Sequence, residues 1–329
     1  MKKVRSAVLL WLKIFVSLGL LFFLVSRMDL RQLFRVLAAA DFSYVAVILV
    51  AYILSQFLSC LRWLLFARPL GFKLPFGEFF SFYFIGMFFN LFAPSTIGGD
   101  VSRVFYLARD GGAGPEGRRT ASTVSAVISV LADRAVGMVV LVWIGAAALL
   151  LFPGYDLPPM IYYVTYAMAA GCGLLVVGIP FLGRFLRREG DPFRSGLKQA
   201  VEIYRRSPAI VAQTFLLSTA VHFIQAGLQR LLGQALGLDL PWSFCFILYP
   251  LVGTFSALPV SFNGIGLREG SYLFLLQRVD VGSEKAVAFG LLWFAIVVLD
   301  SLIGGLVFVL RKGPRPSVSP ALESQIRKP

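Results

Sequence analysis

The sequence is short of charged residues, which make up 15% of its 329 residues, whereas 58% are hydrophobic. A soluble domain carries about 25% charged residues, so this composition is not that of a water-soluble globular fold. Histidine occurs once, at His222, and the three cysteines, Cys60, Cys172 and Cys245, stand far apart. Zinc and iron–sulfur sites need such residues in closely spaced groups, so the sequence predicts no metal and no other cofactor.

Catalytic motifs are lacking as well. The chain contains no Gly-x-Ser-x-Gly turn, no paired carboxylates in a predicted outer loop and no phosphate-binding Walker sequence. Nor does a basic stretch outside the apolar segments interleave aromatic residues, as a nucleic-acid surface would. We therefore expect a protein that is not an enzyme and does not bind nucleic acid.

Long apolar runs are what the sequence has in abundance. A helix needs about 20 apolar residues to cross a bilayer. Six runs meet that length, at residues 7–25, 43–66, 123–152, 161–182, 209–232 and 286–310. The sequence thus predicts an all-α polytopic integral membrane protein with about six full transmembrane helices, the first retained rather than cleaved. Inside the fifth run, His222 is expected to form a hydrogen bond between helices.

Two further apolar segments, 76–93 and 242–258, end at stretches rich in proline and glycine. The apolar runs that follow these breaks, 101–108 and 271–279, are too short to span a membrane. We expect each segment to enter the membrane and to return to its own side with the run behind it. The result would be two re-entrant helical hairpins, the first entering from the cytoplasm and the second from outside.

Lysine and arginine outnumber the acidic residues by 31 to 17, which gives a formal net charge of +14. Cations collect on the cytoplasmic side of membrane proteins, where anionic lipids also attract them. Because basic residues concentrate in 183–207 and after 310, we expect this linker and both termini to lie in the cytoplasm, in a cell (inner) membrane. Arginines 27, 31 and 35 oppose this topology, and residues 28–39 are predicted to form an amphipathic helix on the outer surface.

The two breaks share one pattern. Both read Pro-x4-Gly-x3-Arg, from Pro94 to Arg103 and from Pro259 to Arg268. Farther along the chain, an aspartate stands four residues before a glycine in each half, at Asp133 and at Asp300. We infer that the second half of the chain repeats the first.

This spacing divides a single transmembrane domain, residues 1–310, into repeat A (about 1–152) and repeat B (about 161–310). The basic linker 183–207 lies inside the second half, and residues 311–329 form a cytoplasmic tail. Each repeat would contain two spans, a hairpin and a further span, starting once from each side of the membrane. Such inverted-topology repeats build transporters whose broken helices form the substrate site near the midplane.

Each break has the chemistry of an anion site. Glycine lets the backbone approach closely, a restarting helix presents N–H donors, and an arginine can hold a phosphate with two hydrogen bonds. We therefore expect Arg103 and Arg268 to clamp one lipid phosphate between the hairpins. The candidate substrate-binding residues are Gly98, Gly99, Asp100, Arg103, Asn263, Gly264, Gly266, Arg268 and Glu269.

A structural alternative stays open at these positions. Arg103 would pair with Asp100, and Arg268 with Glu269 or a carbonyl group, simply to neutralise charges that are costly inside a membrane.

Three further charged residues lie inside predicted spans, with coupling or structural roles: Asp133, Arg134 and Asp300. The adjacent Asp133 and Arg134 diverge around a helix and cannot neutralise each other. We expect Asp133 to meet a hairpin arginine instead.

Three sets of residues match a known family: Asn90–Pro94 with Gly98–Arg103, the pair Asp133-Arg134, and Leu258-Pro259 with Asn263–Glu269. With them the chain resembles the transmembrane region of lysylphosphatidylglycerol synthases, a flippase-like family, over nearly its whole length. The resemblance implies a domain that moves an aminoacylated phospholipid between leaflets. Only 19 residues follow Leu310, too few for the soluble transferase domain of two-part members, so synthase activity is not expected.

We expect a lipid translocase that moves a phospholipid or a lipid-linked head group between leaflets. Its partners would be anionic or aminoacylated phospholipids or lipid-linked sugars. The arginines favour a phosphate, whereas Asp100 or Glu269 would accept a cationic amine, and the sequence does not choose between them. Two alternatives remain. The first is a membrane enzyme or enzyme subunit of aminoacyl-lipid or lipid-linked sugar metabolism, with Asp100, Asp133 or Glu269 as acid–base groups. The second is a structural protein whose basic linker recruits an enzyme at the cytoplasmic face.

Overall fold

The computed structural model describes Gly19 and residues 29–92, 98–111, 116–185, 192–257 and 264–311. Within these ranges the regular elements are helices and no strand occurs, which confirms the all-α fold class. The α-helices are α1 (Leu30–Ala38), α2 (Phe42–Ala67), α3 (Phe76–Phe92), α4 (Gly98–Asp110), α5 (Glu116–Leu151), α6 (Pro159–Phe185), α7 (Pro192–Arg205), α8 (Pro208–Ala235), α9 (Trp242–Ser256), α10 (Leu267–Leu276) and α11 (Ser283–Leu310).

Five helical stretches among the described residues are long and apolar enough to cross a membrane. They lie at Phe42–Leu70, Thr123–Leu151, Pro159–Ile179, Pro208–Ala235 and Ser283–Leu310. Each coincides with one of the predicted runs, because a long and mostly apolar stretch has little alternative to a helix once it is in a membrane. The remaining predicted run, 7–25, lies outside the described residues.

The two predicted breaks separate short helices. Apolar α3 is followed by α4, and apolar α9 by α10, and the two helices of each pair pack against one another. Residues 93–97 and 258–263, which include Pro94, Pro259 and Asn263, lie outside the described residues. The helix–break–helix order is therefore as predicted, while re-entry into the membrane stays a prediction.

Helix packing follows the same plan in the two halves. Helices α2 and α8 form the central pair. Within the first half α4 packs on α5, and within the second half α10 packs on α11 in the same way. Between the halves, α3 packs against α11 and α9 packs against α5. Glycine permits both crossings, since Gly304 of α11 lies against the Phe84 carbonyl oxygen of α3. A Cβ atom at Gly145 of α5 would lie 3.0 Å from Pro250 Cβ of α9. Small residues let helices approach closely in membranes.

Polar contacts join the central pair. The Arg62 guanidinium on α2 donates a hydrogen bond from Nη1 to Ser218 Oγ on α8 at 2.8 Å. In the reverse direction, Gln225 Nε2 on α8 donates to Ser55 Oγ on α2 at 2.8 Å. Such bonds between helices are worth about 0.6 kcal/mol each on average, so they fix the register of the pair more than they add stability.

The amphipathic helix predicted at 28–39 is present as α1. The Asp29 carboxylate caps it by accepting hydrogen bonds from the Arg31 and Gln32 amides. Leu33 is buried, whereas Phe34 is 68% exposed and presents its ring outward. An apolar side chain on the outside of a helix next to the spans fits a helix that lies in a membrane surface. Its placement on the outer leaflet stays a prediction.

The basic linker holds a helix that the sequence analysis did not predict. This helix, α7, packs on α5 and α6, and the Tyr204 hydroxyl donates a hydrogen bond to the Phe66 carbonyl oxygen at 2.9 Å. Hydrogen bonds from the Arg205 and Arg206 guanidinium groups hold the pKa of Glu202 below its usual range. The α7 part of the linker thus packs against the helical bundle.

Candidate functional site

A cavity of about 310 Å³ is lined by residues of both halves, and we call it the central cavity. Its first-half wall includes Tyr52 of α2, Asn90 of α3, Arg103 of α4 and Arg134 of α5. Ser256, Arg268, Phe294, Val297 and Ser301 line it from the second half. The two arginines of the repeated break pattern therefore face one common space.

In the first half, Asp133 is held by two arginines. Its Oδ1 accepts a hydrogen bond from Arg62 Nε at 2.8 Å, and its Oδ2 accepts one from Arg103 Nη2 at 2.8 Å. The three side chains come from α2, α4 and α5 and are all nearly buried. A carboxylate between two guanidinium groups remains ionised even away from water. The predicted contact between Asp133 and an arginine of a break is confirmed, and that arginine is Arg103.

The neighbouring arginine turns the other way. Arg134 donates from Nε to both carboxylate oxygens of Asp100, each at 3.0 Å. Arg103 Nη1 also lies 3.5 Å from Asp100 Oδ1. Asp133 and Arg134 thus diverge as predicted and meet different partners, and Arg103 bridges the two carboxylates.

Aromatic rings fix the orientation of Arg103. Its guanidinium carbon lies 4.2 Å from the centroid of the Trp63 ring and 4.7 Å from that of Tyr83. The Trp63 indole is itself held, since its Nε1 donates to Ser129 Oγ at 3.2 Å. In the part of the chain that the structure describes, Arg103 Nε has no hydrogen-bond partner. This nitrogen is buried, so other atoms of the Arg103 side chain make its contact with the central cavity.

Glycine at the first break serves close packing. A Cβ atom on Gly99 would collide with the Gly86 carbonyl oxygen of α3, so only glycine fits where α4 begins. The Gly99 amide donates to Asn90 Oδ1 at 2.9 Å. The expectation that this amide would bind an anion is therefore not met in this conformation, because the Asn90 side chain caps the helix.

In the second half, Glu269 has two functions. Its Oε2 accepts the Gly266 amide at 2.7 Å and so caps α10, while its Oε1 accepts Arg268 Nε at 2.9 Å and Nη2 at 2.6 Å. Gly264 and Gly266 have φ values of +75° and +85°, which a side chain would strain. The pairing of Arg268 with Glu269 matches the structural alternative, and the Gly266 amide is likewise occupied.

Asp300 is the exception among the charged residues of the spans. It is completely buried, and neither carboxylate oxygen has a hydrogen-bond partner among the described residues. Its neighbour Ser301 and Val297, almost one helical turn earlier, both line the central cavity. An ionised carboxylate in such a place costs about 2.5–3.5 kcal/mol, so its state needs an explanation.

The structure thus brings Arg103, Arg134 and Arg268 to one cavity, with Asp100, Asp133 and Glu269 as their ion-pair partners. Gly98 begins α4, and Asn263 lies outside the described residues. Arg62 was not among the residues predicted for the site, although a charge inside the predicted run 43–66 was a sufficient signal. His222 bonds to Tyr249 Oη at 3.0 Å and to the Gly137 carbonyl oxygen at 2.9 Å, as expected for a contact between helices.

Comparison with known proteins gives one family. The model of a family described as the lysylphosphatidylglycerol synthase TM region matches residues 10–304. This match covers both breaks, all of the ion pairs around the central cavity and Asp300. No curated protein matches the chain.

Proposed function

This chain belongs to the family of lysylphosphatidylglycerol synthase transmembrane regions, and from that membership we propose that it moves a phospholipid or a lipid-linked head group between membrane leaflets. The head group would lie in the central cavity, with its phosphate between Arg103 and Arg268. One observation carries the proposal: these arginines come from separate breaks, one in each half, and line the same cavity.

The size of the cavity supports a head group rather than a whole lipid. Sites for small molecules measure roughly 300–1,000 Å³, and the central cavity, at about 310 Å³, lies at the lower end of that range. The acyl chains would remain outside the cavity, against the apolar side chains that the spans expose. Such a division lets one site accept lipids whose chains differ while the head group decides the affinity.

The ion pairs support a head group with both charges. Each arginine that lines the cavity is paired with a carboxylate outside the lining, since Arg134 bonds to Asp100 and Arg268 to Glu269. A phosphate that enters would bind the arginines, and an ammonium group would take their places on the carboxylates. This favours a zwitterionic or aminoacylated lipid, because a purely anionic one would leave a displaced carboxylate without a cation.

Lipid movement in liposomes tests the proposal. The purified protein is reconstituted, and transbilayer movement of fluorescent anionic, zwitterionic and aminoacylated lipids is followed for the wild type and for Arg103→Ala/Arg268→Ala. We expect movement that depends on the head group and falls at least tenfold in the double variant. Movement that is unchanged in a folded double variant contradicts the clamp.

A second double variant serves as the matched control. Arg230→Ala/Arg278→Ala also removes two positive charges, but from arginines whose partners lie at the surface. The side chains of these partners, Asp239 and Asp156, are 87% and 97% exposed. This control should move lipid at the wild-type rate. Circular dichroism and gel filtration of both variants establish that the protein is folded before rates are compared.

We also propose that transport, and not catalysis, is the activity of this site. As an acid–base group a carboxylate needs an oxygen that is open to the substrate. Asp133 has one arginine on each oxygen, and Glu269 holds an arginine with one oxygen and the Gly266 amide with the other. Formation of a new product by the purified protein from a lipid and an activated donor would overturn this proposal.

A further inference from the structure

The two halves differ in how they hold one carboxylate. Asp133 and Asp300 each stand four residues before a glycine, in the last helix of their half. Asp133 accepts hydrogen bonds from two arginines. Asp300 is just as buried, yet neither of its oxygens has a partner among the described residues. The two aspartates thus occupy equivalent positions in the two halves, but only Asp133 has cationic partners among the described residues.

The arginines of the two breaks differ in the same way. Arg103 reaches from α4 to Asp133 on α5. Arg268 occupies the same place in the second break, and α10 packs on α11 as α4 packs on α5. Arg268 nevertheless folds back onto Glu269, its neighbour in the same helix. The second half therefore lacks the bridge between helices that the first half has formed.

A third position repeats the contrast. Arg62 precedes its partner Asp133 by 71 residues. The residue at the same distance before Asp300 is Gln229 on α8, and its Nε2 has no partner in the described ranges. The Gln229 Oε1 atom is fixed, because it accepts the Tyr272 hydroxyl at 2.7 Å. In the second half, the Asp300 carboxylate and the Gln229 Nε2 donor thus both lack partners among the described residues, whereas Asp133 and Arg62 bind each other in the first half.

Arg268 is the cation that the repeated pattern relates to Asp300. It lines the central cavity together with Val297 and Ser301, which lie on either side of Asp300 in α11. The other interior ionisable groups on the helices that pack against α11 have the partners described above. These interior groups are Arg62 on α2, Tyr83 on α3, His222 on α8, and Glu269 and Tyr272 on α10. The remaining charged groups on these helices lie farther out. Arg31 and Arg35 of α1 are exposed, Glu78 of α3 binds Arg311, and Arg230 of α8 binds Asp239.

We propose that Asp300 is a proton-binding site, protonated in this conformation and deprotonated when Arg268 moves to it from Glu269. The O–H bond of the Asp300 carboxyl group breaks, and its proton passes to water in the central cavity. Glu269 loses its guanidinium partner and takes up a proton from water, so the number of buried charges and the number of bound protons are both conserved. When Asp300 and Glu269 exchange protons with water on opposite sides of the membrane, each change of conformation carries one proton across. This coupling rests on the proposed function, whereas the proton site itself does not.

Infrared spectroscopy tests the proton site without any transport. A protonated carboxylic acid has a carbonyl stretching band separate from the bands of carboxylates. At neutral pH, we expect the wild type to show such a band and Asp300→Asn to lack it. The matched control is Asp239→Asn, an exposed carboxylate whose replacement should leave the band unchanged. A wild type without the band, or a band that survives in Asp300→Asn, overturns the proposal.

A second variant tests the link to Arg268. In Arg268→Gln, Glu269 has no cation in either conformation, so it should be protonated together with Asp300. The protonated-carboxyl band should then rise to about twice its wild-type area. An unchanged band in Arg268→Gln would contradict the exchange of Arg268 between the two carboxylates.

Transport under a pH gradient tests the coupling. Liposomes with equal and with unequal pH inside and outside are compared for the wild type and for Asp300→Asn. The gradient should change the wild-type rate of lipid movement severalfold and leave the rate of the variant unchanged. A wild type that moves lipid without regard to the gradient overturns the coupling. If the wild type moves no lipid at all, the proposed function fails, and the infrared result still decides the proton site.

Discussion

At the scale of single residues, the same substitution should have opposite consequences in the two halves. Asp133→Asn removes the charge between Arg62 and Arg103 and leaves two guanidinium groups without their anion. Breaking a buried ion pair in this way costs about 3–5 kcal/mol. Asp300→Asn removes no ion pair, because no described group pairs with Asp300, and should change the free energy of unfolding little or raise it.

Unfolding in detergent micelles, followed by circular dichroism as denaturant or temperature increases, measures both variants side by side. The prediction is wrong if Asp300→Asn lowers the unfolding midpoint as much as Asp133→Asn does. That result would mean that Asp300 is ionised and has a partner outside the described residues.

The sequence could predict which residues belong to the site better than it could predict the partner of each one. Charges inside apolar runs are conspicuous, and a repeated pattern pointed to Arg103 and Arg268 together. Their partners were less accessible. Whether Arg268 bonds to Glu269 or to Asp300 depends on the rotation and register of α10 against α11, which a pattern along one helix does not contain. The hydrogen bond from the Gly99 amide to Asn90 could not be predicted for the same reason, because it depends on how α4 lies against α3.

At the scale of elements, close contact between helices depends on single glycines. Gly304 of α11 lies against the Phe84 carbonyl oxygen of α3, where a Cβ atom has no room. Gly304→Ala should force the two helices apart and lower the free energy of unfolding by about 1–3 kcal/mol. Because Ser301 on the same helix lines the central cavity, lipid movement should slow as well.

Gly171→Ala in α6 is the control for this prediction, since nothing lies within 4 Å of a Cβ atom placed there. Alanine should leave stability unchanged or raise it slightly, through its better helix propensity. Equal losses in the two variants would show that helix packing at Gly304 is not the cause.

Elements with a strong physical signature were the ones that the sequence predicted. A long apolar run has one stable form in a bilayer, and a Pro/Gly-rich stretch interrupts it, so the spans and the breaks could be located by counting residues. Helix α7 was missed because its basic residues were interpreted as those of a cytoplasmic linker. The helical spacing of Leu197, Val201 and Tyr204 was a sufficient signal for an amphipathic helix.

At the scale of the whole molecule, the distribution of charge predicts the orientation in the membrane. The loop between α5 and α6 contains no lysine or arginine, whereas the linker around α7 is strongly basic. We expect the loop outside the cell and the linker in the cytoplasm. Single cysteines at Gly154 and at Ser195, in a chain whose native cysteines are replaced, report the two locations.

In intact cells, a membrane-impermeant thiol reagent should label Gly154→Cys at once and Ser195→Cys only after permeabilisation. Both positions are exposed in the structure, so access is decided by the membrane and not by burial in the protein. Labelling in the opposite order would invert the topology and would place the arginines of α1 on the cytoplasmic side.

The crossing of helices between the halves has a consequence for biosynthesis. Helices leave the ribosome in chain order, yet α3 packs closely against α11, the last of the described helices to be made. In the same way, α5 packs against the later helix α9. Until α11 is inserted, the glycine-dependent contact with Phe84 does not exist, and the side of α3 that it covers faces lipid or an insertion chaperone. The first half cannot complete its folding during translation, and the nascent protein must tolerate a buried ion-pair cluster with one wall absent. A premature stop before α11 would therefore leave an incompletely packed membrane domain, which membrane quality control would degrade.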